Sequence, residues 1–183
     1  MDYVEFSTNY AKKSILLLRP MDWIIAAVLA AIVACIAVYL KKRNRISIYQ
    51  AIASVLLVTY VFLVFSSTVF SRSYTGVHSY RLLPFWSYRE IFNYGRMDLL
   101  VENLLNIVLL MPVGLLLPVL NRKLKIKHII LVASVMSYTI ELSQLIFCKG
   151  LFELFDDPFH NILGAVIGYG MYMGVKNWKY FEK

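Results

Sequence analysis

Charge is scarce in this chain. Of its 183 residues, 16% are Asp, Glu, Lys or Arg, against about 25% in a typical soluble domain. Hydrophobic residues make up 60%, and the mean hydropathy is +0.64. A soluble globule of this size has too little interior for so many apolar side chains, so the bilayer must be the solvent for much of the chain. The same composition excludes intrinsic disorder and a collagen-like fibre. Cysteine is scarcer still. Cys35 lies inside one apolar run and Cys148 at the end of another. That placement argues against a disulfide framework and, with no Cys/His cluster nearby, against a zinc site. A nucleophilic Ser or Cys motif, a phosphate loop, an internal repeat and a low-complexity linker are all lacking. The first twenty residues do not have the layout of a cleavable leader, so the chain is expected to stay intact.

What is present is a series of apolar runs. A membrane-crossing helix needs about 20 mostly apolar residues. Five runs meet that length or approach it: Trp23–Leu40, Ile48–Phe70, Leu99–Leu120, Ile129–Phe147 and Pro158–Val175. No alternating strand pattern of useful length competes with them. The expected fold is therefore an all-α, polytopic membrane helix bundle with five transmembrane helices. Lys and Arg in the flanks set its orientation. One side carries eleven of them, including Lys41, Lys42, Arg43, Arg122 and Lys123, with Glu182 as its single acid. The other carries eight, including Arg72, Arg81 and Arg89. The first side is read as cytoplasmic. The N-terminus and the 71–98 and 148–157 loops then face outward, and the C-terminus faces inward. The basic 122–127 run is a topology signal with anionic-lipid contact, and no nucleic-acid partner is expected. Aromatics of the 71–98 loop are expected to form an interfacial belt.

Polar residues inside the runs gather on one side. Glu102, Asn103 and Asn106 lie near the outer end of the third run, Glu141 and Gln144 near that of the fourth. Asp156, Asp157, His160 and Asn161 mark the outer start of the fifth. Glu102/Asn106 and Ser137/Glu141 are four apart and share helix faces. Carboxylates inside a span are costly and usually face a bundle interior or a wet cavity. Single Asn and Gln residues there are more often glue between helices. Asp156 and Asp157 could simply cap the fifth helix. His160 alone reads as a packing residue. Gly164-x-x-x-Gly168 and Gly170-x-x-x-Gly174 are each expected to admit a neighbouring helix closely. Pro112 is expected to free a backbone carbonyl near residue 108.

Taken together these pieces form a recognisable series. Arg81-x-x-Pro84-Phe85 leads to Glu102-Asn103-x-x-Asn106 and Met111-Pro112-x-Gly114. Glu141-x-x-Gln144 follows, then Phe152-Glu153-x-x-Asp156-Asp157-Pro158-Phe159-His160-Asn161-x-x-Gly164. The series resembles the VanZ-like family over roughly residues 78–175. One departure is Leu82, where that family often has Asn. On this reading residues 1–45 are an extension containing the first span, and residues 46–183 are the VanZ-like membrane domain. The resemblance implies a small bacterial membrane protein acting at the cell envelope, because the family's namesake is linked to resistance to teicoplanin-type glycopeptides. It supplies no reaction.

Three readings of function follow. In the first, a polar pocket in the outer leaflet binds a lipid-linked or cell-wall component, or a glycopeptide. Arg81 holds an anionic group. Glu102, Asn103, Asn106, Gln144, Asp156, His160 and Asn161 line the site, and Glu141 and Asp157 form its acidic centre. In the second, Glu141 and Asp157 act as an acid/base or metal-binding pair on an envelope lipid. Their all-oxygen donor set suits Mg²⁺ or Ca²⁺ rather than zinc. In the third, the same residues form a structural network without turnover. Membrane lipids are the expected partners in every case, and the sequence leaves the oligomeric state open.

Overall fold

The computed structural model describes residues 18–76, 78–149 and 151–181, with side chains as far as Lys176. Six helices and two short strands follow in order: α1 (Pro20–Lys42), α2 (Ile48–Phe65), β1 (Ser79–Arg81), α3 (Trp86–Tyr94), α4 (Met97–Leu120), α5 (Ile126–Ile146), β2 (Leu151–Glu153) and α6 (Asp156–Phe181). A π-helical turn, Ser66–Phe70, prolongs α2. Among the described residues, four helices are long and apolar enough to cross a membrane: Pro20–Lys42, Ile48–Phe70, Met97–Leu120 and Ile126–Ile146. They coincide with the first four runs expected from sequence. The fifth run lies within α6, which is a helix throughout but is not among those four. Two features were not anticipated. The 71–98 stretch carries a helix of its own, and β1 pairs in parallel with β2, so the bundle is not purely helical.

Local chemistry explains where the helices begin. Ser47 and Gln50 cap α2 reciprocally: the Ser47 hydroxyl accepts from the Gln50 N–H at 3.2 Å, and the Gln50 side chain accepts from the Ser47 N–H at 2.9 Å. The Gln50 amide also donates to the Leu120 carbonyl at 2.8 Å, satisfying the last turn of α4. Pro20 stands at the first turn of α1, where its missing N–H costs nothing. Asp22, buried in that turn, accepts from the Arg19 N–H at 2.7 Å and the Ser71 hydroxyl at 2.7 Å, tying α1 to the end of α2.

The main core cluster contains Leu57, Leu110, Val113, Ile129, Ala133 and Ala165, drawn from α2, α4, α5 and α6. The α4–α6 seam is very close. A Cβ added at Gly114 would fall on the Ala165 carbonyl, one at Gly164 on the Ile107 carbonyl, and one at Gly168 on the Met111 carbonyl. Gly164-x-x-x-Gly168 therefore works as expected, with the backbones themselves in contact. Gly170-x-x-x-Gly174 does not: nothing lies within 4 Å of where a Cβ would stand at either position. These two glycines sit on an exposed face of α6, turned away from the seam. Pro112 is accommodated without breaking α4, and the Tyr60 hydroxyl donates to the Leu109 carbonyl nearby at 2.9 Å. Large apolar side chains such as Ile24, Val28, Ile32, Leu131, Val135 and Ile146 remain exposed along the helices, as a lipid-facing surface requires.

Candidate functional site

The polar groups collect at the end of the bundle where α4 and α6 begin and α5 finishes. Their placement depends on α3. The chain enters α3 through Phe85 in the left-handed region (φ 54°) and leaves through Gly95 (φ 65°). No side chain of its own caps the start of α3. Asp156 does so from 71 residues away. Its carboxylate accepts from the Phe85 N–H at 2.6 Å, the Ser87 N–H at 2.9 Å and the Ser87 hydroxyl at 2.7 Å. A carboxylate at a helix N-terminus satisfies orphan donors and the helix dipole together. Asp156 thus serves as a cap, but of α3 rather than of its own helix. Asn103 donates to the same Ser87 hydroxyl at 3.1 Å. His160 lies 2.6 Å from the Asp156 carbonyl through Nδ1 and 2.8 Å from the Tyr88 hydroxyl through Nε2. A carbonyl can only accept, so Nδ1 carries a proton, and in the neutral ring Nε2 then accepts from Tyr88. Asp156, Asn103 and His160 are buried and jointly fix α3 against α4 and α6.

A second group lies beside this anchor. Glu141, 1% exposed, accepts from the Glu153 N–H at 2.7 Å. Its carboxyl and that of Asp157 are near enough to act on each other electrostatically. Asn106 donates to Asp157 at 2.6 Å. One turn along from the two carboxyls, Asn161 donates to the Ser137 hydroxyl at 2.8 Å. Gln144 donates to the Thr68 carbonyl at 3.1 Å. The amide oxygens of Asn161 and Gln144 are buried and have no hydrogen-bond partner among the described residues. Glu102 contributes further negative charge, and Arg72 acts electrostatically on Glu102, Glu141 and Asp157 alike. Glu153 lies on β2, outside the spans. Burial and then the nearby Asp157 charge push its carboxyl up to about 8.

Arg81 forms no ion pair with these carboxylates, although its charge acts on Glu102. It pairs in register with Glu153 across the β1–β2 ladder, but its guanidinium lies flat on Trp86, 3.3 Å from the ring centroid. The two ion pairs among the described residues, Arg19–Asp22 and Arg96–Asp98, do not involve it. Arg81 instead lines a cavity of about 550 Å³ formed by β1 and α3. No three His, Cys, Asp or Glu side chains among the described residues are placed to hold one metal ion.

The expected site residues thus fall into three neighbouring groups. Glu141, Asp157, Asn106, Asn161 and Gln144 surround the carboxyl pair, with Glu102 nearby. Asn103, Asp156 and His160 hold α3, and Arg81 faces the cavity. Residues not anticipated as part of the site are Arg72, Trp86, Ser87, Tyr88, Ser137 and Glu153. Ser137 was legible from its four-residue spacing to Glu141. Trp86 and Arg72 carry no spacing signal, because only the folded loops bring them to the site.

Comparison with curated proteins and with solved structures brings no match. Comparison with protein families does: the VanZ/LLP1 family model matches residues 51–177, more than half of the chain. The match starts within α2, well before the motif series that begins near residue 78. That family supports a membrane protein linked in general to glycopeptide resistance. The long apolar helices agree with a multi-pass membrane protein. By motif order and by the length of the match, this chain belongs to the VanZ-like family.

Proposed function

We propose that the chain binds a lipid-linked or cell-wall-associated envelope component at the outer leaflet, with Glu141 and Asp157 as the centre of the site. In this reading α6 is a fifth span, the N-terminus and the 71–98 loop face outward, and the C-terminus is cytoplasmic. The observation that carries the proposal is the meeting of Glu141 from α5, Asp157 from α6 and Asn106 from α4 in one buried network. Structural glue would be expected to satisfy its own polar atoms. Here the Asn161 and Gln144 amide oxygens are buried without partners, as suits a site that accepts hydrogen bonds from hydroxyls or amides of a ligand.

The placement of Glu141 and Asp157 in one buried network favours a second reading, in which the site also performs acid/base chemistry. Neighbouring carboxylates repel each other when both are ionised, and one shared proton relieves the repulsion. Such a pair can give a proton to a leaving oxygen and take one from an attacking water.

Both readings are tested by Glu141→Gln, Asp157→Asn and Asn161→Ala, singly and combined, with teicoplanin susceptibility and membrane abundance measured together. Each single change should abolish most of the phenotype at near-normal abundance. The double changes should add little, since members of one site fail as a unit. Full activity in the single variants, or activity that follows abundance alone, would overturn the site. Turnover of an envelope lipid by purified wild-type protein, lost in Glu141→Gln, separates catalysis from binding.

A further inference from the structure

The cavity beside the carboxylate network has a chemistry of its own. It is lined by Tyr80, Arg81, Leu82, Leu83, Trp86 and Arg89, among others. Stacking on Trp86 holds the Arg81 guanidinium flat, and its Nη1 is buried without a hydrogen-bond partner. A guanidinium fixed by its face offers its donors in the plane, in the fork that matches two oxygens of a phosphate. Arg89 follows Trp86 by three residues on α3, so both face the same side of that helix. Glu90 also lines the cavity, the one acid there against the two arginines. The start of α3 takes no part, because its N–H groups already face Asp156.

The rim is apolar and open. Tyr80, Leu82 and Leu83 are 63%, 52% and 63% exposed. Exposed aromatics and leucines around a cationic centre belong at the level of lipid headgroups. A volume of about 550 Å³ is far larger than a phosphate alone and falls in the range of small-molecule sites.

We infer that this cavity binds the phosphate of an anionic amphiphile, with Arg81 and Arg89 on the phosphate and the Tyr80–Leu83 rim on the lipid portion. The inference rests on the outer-leaflet reading and names the class of envelope component it takes. It also gives Arg81 a role separate from the carboxyl pair. Because Arg81 faces Glu153 in the β ladder, an occupied cavity would act directly on the strand that hydrogen-bonds Glu141.

The test uses the full chain in phosphatidylcholine nanodiscs, with Trp23→Phe and Trp178→Phe leaving Trp86 as the reporter. It is titrated with dihexanoyl phosphatidic acid, dihexanoyl phosphatidylcholine and inorganic phosphate. Phosphatidic acid should change Trp86 fluorescence saturably, at concentrations at least about tenfold lower than either comparison ligand. Arg89→Gln should weaken that binding about tenfold or more, and about 0.5 M salt should weaken it too. Arg89 is exposed, so this variant should fold, and an unchanged melting temperature checks that it does. Arg122→Gln, in the loop before α5, should change nothing. Equal binding of phosphatidic acid and inorganic phosphate would overturn the amphiphile. Equal binding of phosphatidic acid and phosphatidylcholine, or an Arg89→Gln variant that binds as wild type, would overturn the anion site. If phosphatidic acid binds as expected while Glu141→Gln and Asp157→Asn keep full activity, the proposed function fails and the cavity stands. The opposite pattern removes the cavity alone.

Discussion

Replacing Gly164 with Ala adds one methyl group where the structure has no room for it. The new Cβ would fall on the Ile107 carbonyl of α4, and neither group is a flexible side-chain end. The helices must part by roughly 1.5 Å to restore ordinary van der Waals separation. Ile107 follows Asn106, whose 2.6 Å hydrogen bond to Asp157 crosses the same seam. Parting the helices by that much carries the bond past hydrogen-bonding length. Overpacking costs about 1–3 kcal/mol, and losing the bond about 0.5–1.5 kcal/mol more. Better helix propensity of Ala over Gly returns about 1 kcal/mol. The net expectation is a loss of about 0.5–3.5 kcal/mol together with loss of function, since Asn106 and Asp157 separate. Gly170→Ala and Gly174→Ala lie on the same helix with open space around them, and should be neutral or slightly stabilising. Thermal melting of detergent-purified protein, followed by size-exclusion fluorescence, reads the three variants side by side. A Gly164→Ala protein that melts with Gly170→Ala would refute the backbone-contact account of the α4–α6 seam.

Asp156→Ala removes the partner of two backbone N–H groups and the Ser87 hydroxyl. The expected cost is on the order of 3 kcal/mol, and limited proteolysis should cut first within residues 85–95. Glu153 binds its proton more tightly in the fold than in the unfolded chain. Stability should therefore fall as pH rises from the ordinary carboxyl range, near 4.5, to about 8, and Glu153→Gln should flatten that slope in melts taken across it. A slope unchanged in Glu153→Gln would assign it to other groups. Finally, Leu124→Cys in a background without Cys35 and Cys148 should resist an impermeant thiol reagent in intact cells and react once they are opened. Labelling from outside would reverse the orientation read from the Lys and Arg distribution.

The long helices were legible because a bilayer imposes a simple rule on composition, and the runs of apolar residues obey it. Their observed limits differ from the expected ones by only a few residues. The Glu141, Asp157 and Asn161 group was legible because each side chain is an exception within its run or at its edge. Residues 71–98 were harder. Trp86–Tyr94 mixes polar and aromatic residues over less than three turns, and the group that starts this helix, Asp156, belongs to another segment. The paired strands are three residues each, too short for alternation to register. The two glycine motifs look alike in sequence and behave differently, because Gly164 and Gly168 share a face with Asn161 while Gly170 and Gly174 turn away. Arg81 was identifiable from its motif, but its ring partner was not, since the guanidinium could equally have been aimed at a carboxylate.

The capping of α3 from α6 also sets an order of events during synthesis. Phe85 and Asp156 are 71 residues apart. At the usual pace of translation, about 5–20 residues per second, the ribosome needs roughly 4–14 s to make the second after the first. Throughout that interval α3 lacks its cap, β1 has no strand to pair with, and Arg81 has no opposing Glu153. Contacts this distant in sequence close late, so the polar end of the bundle is assembled only after α4 and α5 have emerged. A chain stalled before Asp156 would display the aromatic 85–94 segment to the membrane surface unrestrained, and this is the stage at which quality-control proteases would find the newborn protein most open to attack.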